Sequence, residues 1–286
     1  MKIGCHISVS KGLEKAVQRA LELGAESFQV FTKNPRGLKP KKVDYQDAEK
    51  GVALMHRHEL TLVCHTPYIT NLSTPKDDLQ EATIRSILED LHIAEVYGAV
   101  GAVVHCGKHV GEGEAYGIQR MVETLDRILE QYEGPVKLLL ENTAGQGSEL
   151  GLTVASLMEI RSATRYPDKI GFCFDTCHSF AAGQWQLETF DQLVEEMETS
   201  GYLEHLVAIH FNDSKAPFAS QKDRHEKIGK GEIGSEALAK FLVSSHFQHL
   251  PVILETPVED EQEYAEEMVY LHELRERGLA QAQEGR

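Results

Sequence analysis

The sequence predicts an α/β fold, namely a (β/α)8 TIM barrel in which eight parallel strands are enclosed by outer helices. Short apolar runs alternate with longer amphipathic stretches, and this alternation occurs eight times along the chain. A length of 286 residues suits one such barrel. No low-complexity tract or Ser/Gly-rich linker divides the chain, so we expect one domain over residues 1–286, with a frayed tail at about 276–286.

The eight apolar runs are predicted strands because they are almost continuously apolar, which is typical of parallel strands covered on both faces. They span 2–7, 27–32, 60–65, 102–106, 137–141, 170–175, 206–210 and 251–256. An open doubly wound sheet is the competing architecture. It would be favoured by a Gly-rich phosphate fingerprint after the first strand, and GCHISVSKG does not have that pattern.

The stretches between the strands have apolar residues at helical spacing. Residues 12–24 and 77–98 show this spacing and end in Gly24 and Gly98, as helices commonly do. Residues 156–166 and 263–278 have the same character. Each strand is therefore predicted to be followed by a helix that covers the outside of the barrel.

The composition indicates a folded intracellular protein. Hydrophobic residues make up 41% of the chain, which allows a large core. The five cysteines are odd in number and form no CxxC pair, so we expect no disulfide framework and a cytoplasmic location. No signal peptide and no apolar run long enough to cross a bilayer is present in the sequence, so no membrane association is predicted.

The charge distribution gives two opposite indications. The net charge of −16 argues, taken alone, against a nucleic-acid partner, because phosphate contacts require Lys and Arg. Residues 33–42, KNPRGLKPKK, nevertheless carry five cations and no acidic residue. We interpret this basic segment as a DNA contact rather than as an ordinary solvated loop.

Seven of the eight predicted strands end in His, Asp or Glu. The strand ends are His6, Thr32, His65, His105, Glu141, Asp175, His210 and Glu255. In a barrel these ends converge on one face, where the active site lies. Crowded imidazoles and carboxylates are costly unless they coordinate something, and their chemistry suits zinc, manganese or iron.

The loops add three further candidate ligands. His178 follows Asp175 by three residues, and Asp223 and His225 are two apart, so both would point the same way on an extended segment. The candidate ligands are then His65, His105, Glu141, Asp175, His178, His210, Asp223, His225 and Glu255. Nine ligands suit two or three ions with a bridging carboxylate, an arrangement typical of phosphate ester cleavage.

Six motifs, at the spacing of the barrel repeat, resemble the endonuclease IV family of zinc-dependent apurinic/apyrimidinic endonucleases. They are HTPYITNL (65–72), LENTAGQGSELG (140–151), FDTCHSFAAG (174–183), HFNDSK (210–215), DRHEKIGKGEIG (223–234) and ILET (253–256). With FTKN (31–34), the resemblance covers nearly the whole chain. It implies a hydrolase of base excision repair that cuts double-stranded DNA on the 5′ side of an abasic site. The products would be a 3′-hydroxyl and a 5′-deoxyribose phosphate.

The resemblance also implies a site with three Zn²⁺, some of which Mn²⁺ or iron could replace. One zinc would be held by His65 and His105, the second by Asp175, His210 and Glu255, and the third by His178, Asp223 and His225. Glu141 would bridge the first two zincs. Glu141 and Glu255 would be the catalytic carboxylates, with a zinc-activated bridging hydroxide as the nucleophile.

The family's DNA-penetrating loops match residues 31–38 and 67–69. The resemblance implies that Lys33 and Asn34 contact DNA and that Arg36, Tyr68 and Ile69 enter the minor groove of a duplex at the abasic site. Lys33 would share the phosphate contacts with Lys39, Lys41 and Lys42. We expect the protein to bind DNA as a monomer.

The sequence departs from the family at three positions, none of them a candidate ligand. Cys106 replaces the proline of a His-Pro-Gly motif, Thr66 replaces an acidic residue that is often found there, and Leu38 replaces an aromatic residue. We interpret the cysteines as small buried apolar residues, and His6 as either an ordinary polar residue or a partner that orients a ligand.

Two other functions are compatible with parts of this pattern. A divalent-metal sugar isomerase or epimerase on the same barrel would use a Lys or His base in a small closed pocket, and it would have no use for residues 33–42. A damage-binding protein that does not cut would keep the basic segment but lose metal ligands, and all nine candidates are present. The endonuclease is favoured because ligands and basic segment occur together.

Overall fold

Eight parallel strands close into a barrel in the computed structural model, which describes residues 1–284. The barrel strands are β1 (Lys2–His6), β2 (Ser27–Phe31), β3 (Thr61–His65), β4 (Gly101–His105), β5 (Lys137–Glu141), β6 (Ile170–Asp175), β7 (Leu206–His210) and β10 (Pro251–Leu254). β1 pairs with β2 on one side and β10 on the other, which closes the ring. The predicted (β/α)8 barrel is confirmed.

The helices surround the barrel as predicted. They are α1 (Leu13–Glu22), α2 (Tyr45–Arg57), α3 (Asp77–Val96), α4 (Glu114–Gln131), α5 (Val154–Ala163), α6 (Thr176–Ala181), α7 (Phe190–Thr199), α8 (Gly234–Val243) and α9 (Gln262–Glu284). Gly24 and Gly98 follow α1 and α3 with φ of 77° and 68°, a left-handed conformation that glycine adopts without steric cost. The Asp44 carboxylate accepts hydrogen bonds from the first turn of α2.

The C-terminal helix extends into the segment where a frayed tail is predicted. α9 continues to Glu284. Residues 279–284, LAQAQE, are all good helix formers, so nothing in their composition ends the helix. The last two positions of the predicted tail, 285–286, lie outside the described residues.

A layer of small and branched side chains fills the barrel interior. It consists of Val63, Val103, Leu139, Cys173 and Ala208. Each of them stands two residues before a strand-end His, Asp or Glu. Because side chains on a strand alternate with a period of two, each strand-end group points into the same interior, directly above this layer. The layer is the floor of the site described below.

A short antiparallel ribbon lies beyond β7, formed by β8 (Asp213–Ser214) and β9 (His225–Glu226). It folds the 211–233 segment back over the open end of the barrel. All five cysteines are buried and free. Among the described helices, none has the length and apolar character needed to span a bilayer.

Candidate metal centre

Six of the nine candidate ligands come from carboxyl ends of barrel strands. Five are the last residues of β3 to β7, namely His65, His105, Glu141, Asp175 and His210. Glu255 directly follows β10. Parallel strands carry their carboxyl ends to one rim, so these six side chains meet there.

The remaining three ligands are positioned by local structure. The Asp175 carboxylate accepts a hydrogen bond from the backbone N–H of His178 at 2.7 Å, which caps the short helix α6 and fixes its first turn. Asp223 precedes β9, and His225 pairs with Ser214 of β8. The ribbon thus carries Asp223 and His225 back to the rim.

The structure brings all nine predicted ligands together in three groups. Within each group the ligand atoms lie within 4.8 Å of one another. Besides the overlapping combinations His65–His210–Glu255 and Asp175–Cys177–His225, which meet the same distance, these groups are His65–His105–Glu141, Glu141–Asp175–His210–Glu255 and His178–Asp223–His225. They coincide with the three ligand sets that the family resemblance implies, and Glu141 belongs to two of them.

Glu141 occupies the junction between the first two groups. Its Oε2 lies 3.0 Å from Nε2 of His105 and 3.4 Å from Nε2 of His65. Its Oε1 lies 2.9 Å from Nδ1 of His210. Oε2 is buried, and its nearest polar neighbours are these two imidazole nitrogens. A buried carboxylate oxygen that faces two imidazole nitrogens fits a bound cation.

Backbone carbonyl groups set the direction of three imidazoles. Nδ1 of His65 donates to the backbone carbonyl of Thr66 at 2.7 Å. In the same way, Nδ1 of His178 donates to the carbonyl of Asn142 at 3.0 Å, and Nδ1 of His225 donates to the carbonyl of Glu255 at 3.1 Å. A carbonyl oxygen can only accept, so the proton is on Nδ1 and the Nε2 lone pair is free to face the site. Metal-binding histidines are usually held this way.

The charges of the site shift the pKa values of its members. Burial would raise the pKa of Glu141, but the charges of His210 and His105 hold it well below its usual value. Burial would lower the pKa of His178, but Asp175 and Asp223 raise it well above the usual range. Without a metal, Glu141 and His178 are therefore each shifted towards their charged forms by oppositely charged neighbours.

Two asparagines align these ligands, and sequence reasoning missed both. Asn142 exchanges two hydrogen bonds with the backbone of Asp175, at 2.8 and 3.0 Å. Asn212 donates from Nδ2 to Asp175 Oδ2 at 2.8 Å and accepts from the backbone N–H of Glu255 at 2.9 Å. The available signal was their position, because each follows a strand-end ligand by one or two residues.

Asp213 was also missed, and it organises the loop beyond the ribbon. Its buried carboxylate accepts hydrogen bonds at 3.0 Å from the backbone N–H groups of Gly229, Gly231 and Ile233. It also accepts from Ser214 N at 2.8 Å. The Asp213 side chain thus links residues 229–233 to β8, which pairs with the strand that carries His225.

The two predicted DNA-contacting loops lie side by side at the rim. The backbone N–H of Tyr68 donates to the carbonyl of Pro35 at 2.9 Å. The Tyr68 ring packs edge-on against Phe31 and His65, at centroid distances of 5.0 and 5.3 Å. Tyr68 is 50% exposed and Ile69 is 49% exposed, so an apolar pair projects into solvent next to a metal ligand. Asn34 and Arg36 are exposed in the same place.

The prediction that Lys33 contacts a phosphate is wrong. Its side chain is fully buried, and Nζ lies 3.1 Å from Asp90 and 3.0 Å from Glu89 of α3. Lys41 also turns inward, where Nζ donates to the Tyr97 hydroxyl at 3.1 Å. These two lysines anchor the basic segment to α3 and the residue that ends it, whereas Arg36, Lys39 and Lys42 are exposed.

Cys177 lies closer to the ligands than its apolar interpretation implied. Its sulfur lies within 4.8 Å of potential ligand atoms of Asp175 and His225. The thiol donates to the carbonyl of Arg224 at 3.6 Å, and burial raises its pKa to about 12. Its proton is therefore used locally, as in a buried structural cysteine.

Comparison with known proteins points to one family. A family model described as a xylose isomerase-like TIM barrel, AP_endonuc_2, matches residues 17–274. The probable endonuclease 4 of Symbiobacterium thermophilum is 55% identical, over 96% of this chain and 99% of its own length. The probable endonuclease 4 of Thermotoga maritima is 36% identical, over 97% of this chain and 98% of its own.

Solved structures give the same indication. Endonuclease IV from Thermus thermophilus superposes with a TM-score of 0.83 at 28% identity, covering 98% of this chain and 100% of that one. A D-tagatose 3-epimerase-like protein superposes with a TM-score of 0.70 at 21% identity, covering 98% of this chain and 100% of that one. The second likeness concerns the fold alone.

Proposed function

This chain belongs to the endonuclease IV family, and from that premise we propose that it hydrolyses the phosphodiester on the 5′ side of abasic sites in duplex DNA. Water adds to the phosphorus and the bond to the 3′-oxygen breaks. The products are a 3′-hydroxyl and a 5′-deoxyribose phosphate. The observation that carries the proposal is the position of Glu141, shared by two ligand groups beside the exposed Tyr68–Ile69 pair.

The donor set fits zinc. Five imidazoles and four carboxylates are borderline-soft and hard ligands in the mixture that Zn²⁺ accepts, and manganese or iron could replace it at some positions. One ion would be held by His65 and His105, a second by Asp175, His210 and Glu255, and a third by His178, Asp223 and His225. When bound, such ions supply an activated water nucleophile and positive charge for the phosphoryl oxygens.

The protein's own groups do the orienting. Glu141 would align the attacking water, because its two oxygens face opposite halves of the site. Glu255 would act as the second catalytic carboxylate from the facing side. Four carboxylates against three divalent ions leave the centre cationic, so a protein with a net charge of −16 can still attract a phosphodiester.

Recognition would come from the two rim loops. Tyr68 and Ile69 would enter the minor groove and replace the missing base, because an abasic site costs the least to unstack. Arg36 would fill the gap from the adjacent loop, Asn34 would contact the backbone, and Lys39 and Lys42 would neutralise phosphates. The site needs no residue from a second subunit, so a monomer would suffice, and five free buried cysteines support a cytoplasmic enzyme.

The test is a duplex oligonucleotide with one tetrahydrofuran abasic analogue, which cannot break by β-elimination. The zinc-loaded protein, the chelated protein and the Asp175→Ala variant would be compared. We expect a single cut 5′ to the analogue that leaves a 3′-hydroxyl, lost on chelation and in the variant. Binding without cutting, with zinc or manganese restored, would indicate a damage-binding protein. Neither binding nor cutting would reject the proposal and lead to a screen for sugar epimerisation.

A further inference from the structure

Gln29 is a fully buried polar side chain on β2, beneath the candidate metal centre. It stands in register with His6 of β1 and Val63 of β3, and Val63 belongs to the interior layer. The Gln29 side chain therefore points into the barrel. A buried glutamine requires partners for its amide group, and those partners include metal-ligand candidates.

The partners fix which way the amide faces. One end of the Gln29 amide lies 2.7 Å from Oε1 of Glu255, and the other lies 2.7 Å from Nε2 of His210. A carboxylate only accepts, so the amide NH2 group faces Glu255 and the amide oxygen faces His210. The same NH2 group lies 3.3 Å from Nδ1 of His6, which can accept its second hydrogen.

This orientation determines which nitrogen of His210 keeps its proton when a metal binds. Because the Gln29 oxygen accepts, the ring nitrogen facing it, Nε2, must carry a proton. The other nitrogen, Nδ1, then faces Glu141 at 2.9 Å and Glu255 at 3.1 Å. His210 is thus turned the opposite way from His65, His178 and His225, each of which points Nε2 into the site.

We propose that Gln29 is a positioning residue that holds His210 in the Nε2–H tautomer for metal binding through Nδ1, while it aligns Glu255 for the same ion. The inference rests on the proposed function for the presence of zinc. It goes further by assigning a ligand atom and a role to a residue outside the nine ligands. His65, His178 and His225 are held by backbone carbonyls, so His210 is the one of these four whose orientation depends on a replaceable side chain.

The variants Gln29→Met and Gln29→Glu separate the two hydrogen bonds. Methionine has a similar length and removes both bonds. Glutamate still accepts from His210 but cannot donate to Glu255. Gln80→Met is the matched control, because Gln80 is a buried glutamine on α3 that donates to Thr124 at 2.8 Å, away from the ligands. Circular dichroism melting of each variant would report whether it folds.

The first readout is the zinc affinity of the full chain, measured by competition with a chromophoric chelator. The second is a long-range proton–nitrogen NMR spectrum of the zinc-loaded protein labelled with 15N-histidine. Wild type should show one ligand imidazole with its proton on Nε2, assigned by the loss of that signal in His210→Ala. Gln29→Met should lower the affinity for one zinc about 10- to 100-fold and abolish that tautomer. Gln29→Glu should keep the tautomer and lower the affinity.

Three results separate the possible failures. If wild type binds no zinc, the proposed function fails. If wild type binds three zincs but His210 carries its proton on Nδ1, the inference fails without affecting the proposed function; this measurement needs no Gln29 variant to fold. If Gln29→Met binds zinc as tightly as Gln80→Met, the positioning role is overturned.

Discussion

The ammonium group of Lys33 lies 3.1 Å from the carboxylate of Asp90, and neither side chain is exposed to solvent. Thr32 donates to the same carboxylate at 2.6 Å, and Ser86 of α3 accepts from Lys33. Burial raises the pKa of Asp90 to about 6, although the charge of Lys33 acts to lower it. The base of the predicted DNA-contacting loop is therefore fixed to α3 by a buried ion pair.

Lys33→Ala should unfold more easily than wild type. Removing one partner of a buried pair leaves a charge without compensation, which costs about 3–5 kcal/mol. The free energy of unfolding in urea measures this loss. Lys39→Ala is the control, since Lys39 is exposed, and it should weaken DNA binding at low salt with unchanged stability. Equal stability of the two variants would contradict the structural role of Lys33.

Glu141→Gln should disrupt two ligand groups at once. The amide oxygen can still coordinate, but it has no negative charge to share between ions. We expect zinc to bind about 10- to 100-fold more weakly and incision to fall at least as far. Elemental analysis after dialysis and the oligonucleotide assay measure the two effects. Glu123→Gln, on the exposed side of α4, should change neither.

Zinc binding should release protons. The pKa values of His105, His178 and His210 all lie above the ordinary value of 6.5, despite burial, because of neighbouring groups that include Glu141, Asp175 and Glu255. These shifts favour the protonated forms of the three histidines in the metal-free protein, and the coordinating nitrogen of each must be free of its proton to bind a metal. Zinc affinity should rise with pH. Calorimetry in two buffers with different ionisation enthalpies measures the release, and identical heats would contradict it.

The same shifts give the metal-free protein a pH dependence of its own. A histidine whose folded pKa is raised stabilises the fold fully below its unfolded pKa of about 6.5, and this contribution is lost as pH rises through the folded value. The metal-free protein should therefore lose stability above neutral pH, which thermal melting would detect. A melting temperature that rises from pH 6 to pH 9 would contradict this.

Tyr68→Ala and Ile69→Ala should impair recognition without changing metal content. Each removes a half-exposed apolar group from the rim. By analogy with base stacking on aromatic side chains, Tyr68→Ala should weaken binding to the abasic duplex by about 1–3 kcal/mol. Tyr116→Ala, an exposed aromatic residue of α4, is the matched control. If Tyr68→Ala and Tyr116→Ala bind the abasic duplex equally tightly, the proposed insertion of Tyr68 into the minor groove is wrong.

Much of this architecture can be predicted because each strand carries its own signal. Apolar runs end at a polar residue, and alternation then dictates that residues such as His105 and Asp175 share an interior with the small residues two positions earlier. Barrel closure brings these ends together whatever the loop lengths. The six strand-end ligands were therefore accessible from the residues, whereas the division of all nine ligands into three groups depended on the family resemblance.

The parts that could not be predicted depend on contacts between distant segments. Nothing in KNPRGLKPKK distinguishes Lys33 from Lys39, because the buried Asp90 that binds Lys33 stands 57 residues later. Gln29 contacts Glu255 across 226 residues, and only the closed barrel places them side by side. The continuation of α9 to Glu284 was missed for a local reason, since chain ends were assumed to fray.

Because β1 pairs with β10, the barrel can close only after its last strand has been synthesised. The ribosome releases His65, His105 and Glu141 early, but Glu255 belongs to the last barrel strand and reaches Gln29 only when the ring is complete. A nascent or C-terminally truncated chain would lack one carboxylate of the central group. The ability to cut DNA would then arise only after synthesis of the barrel is finished, and an incomplete chain would be inactive.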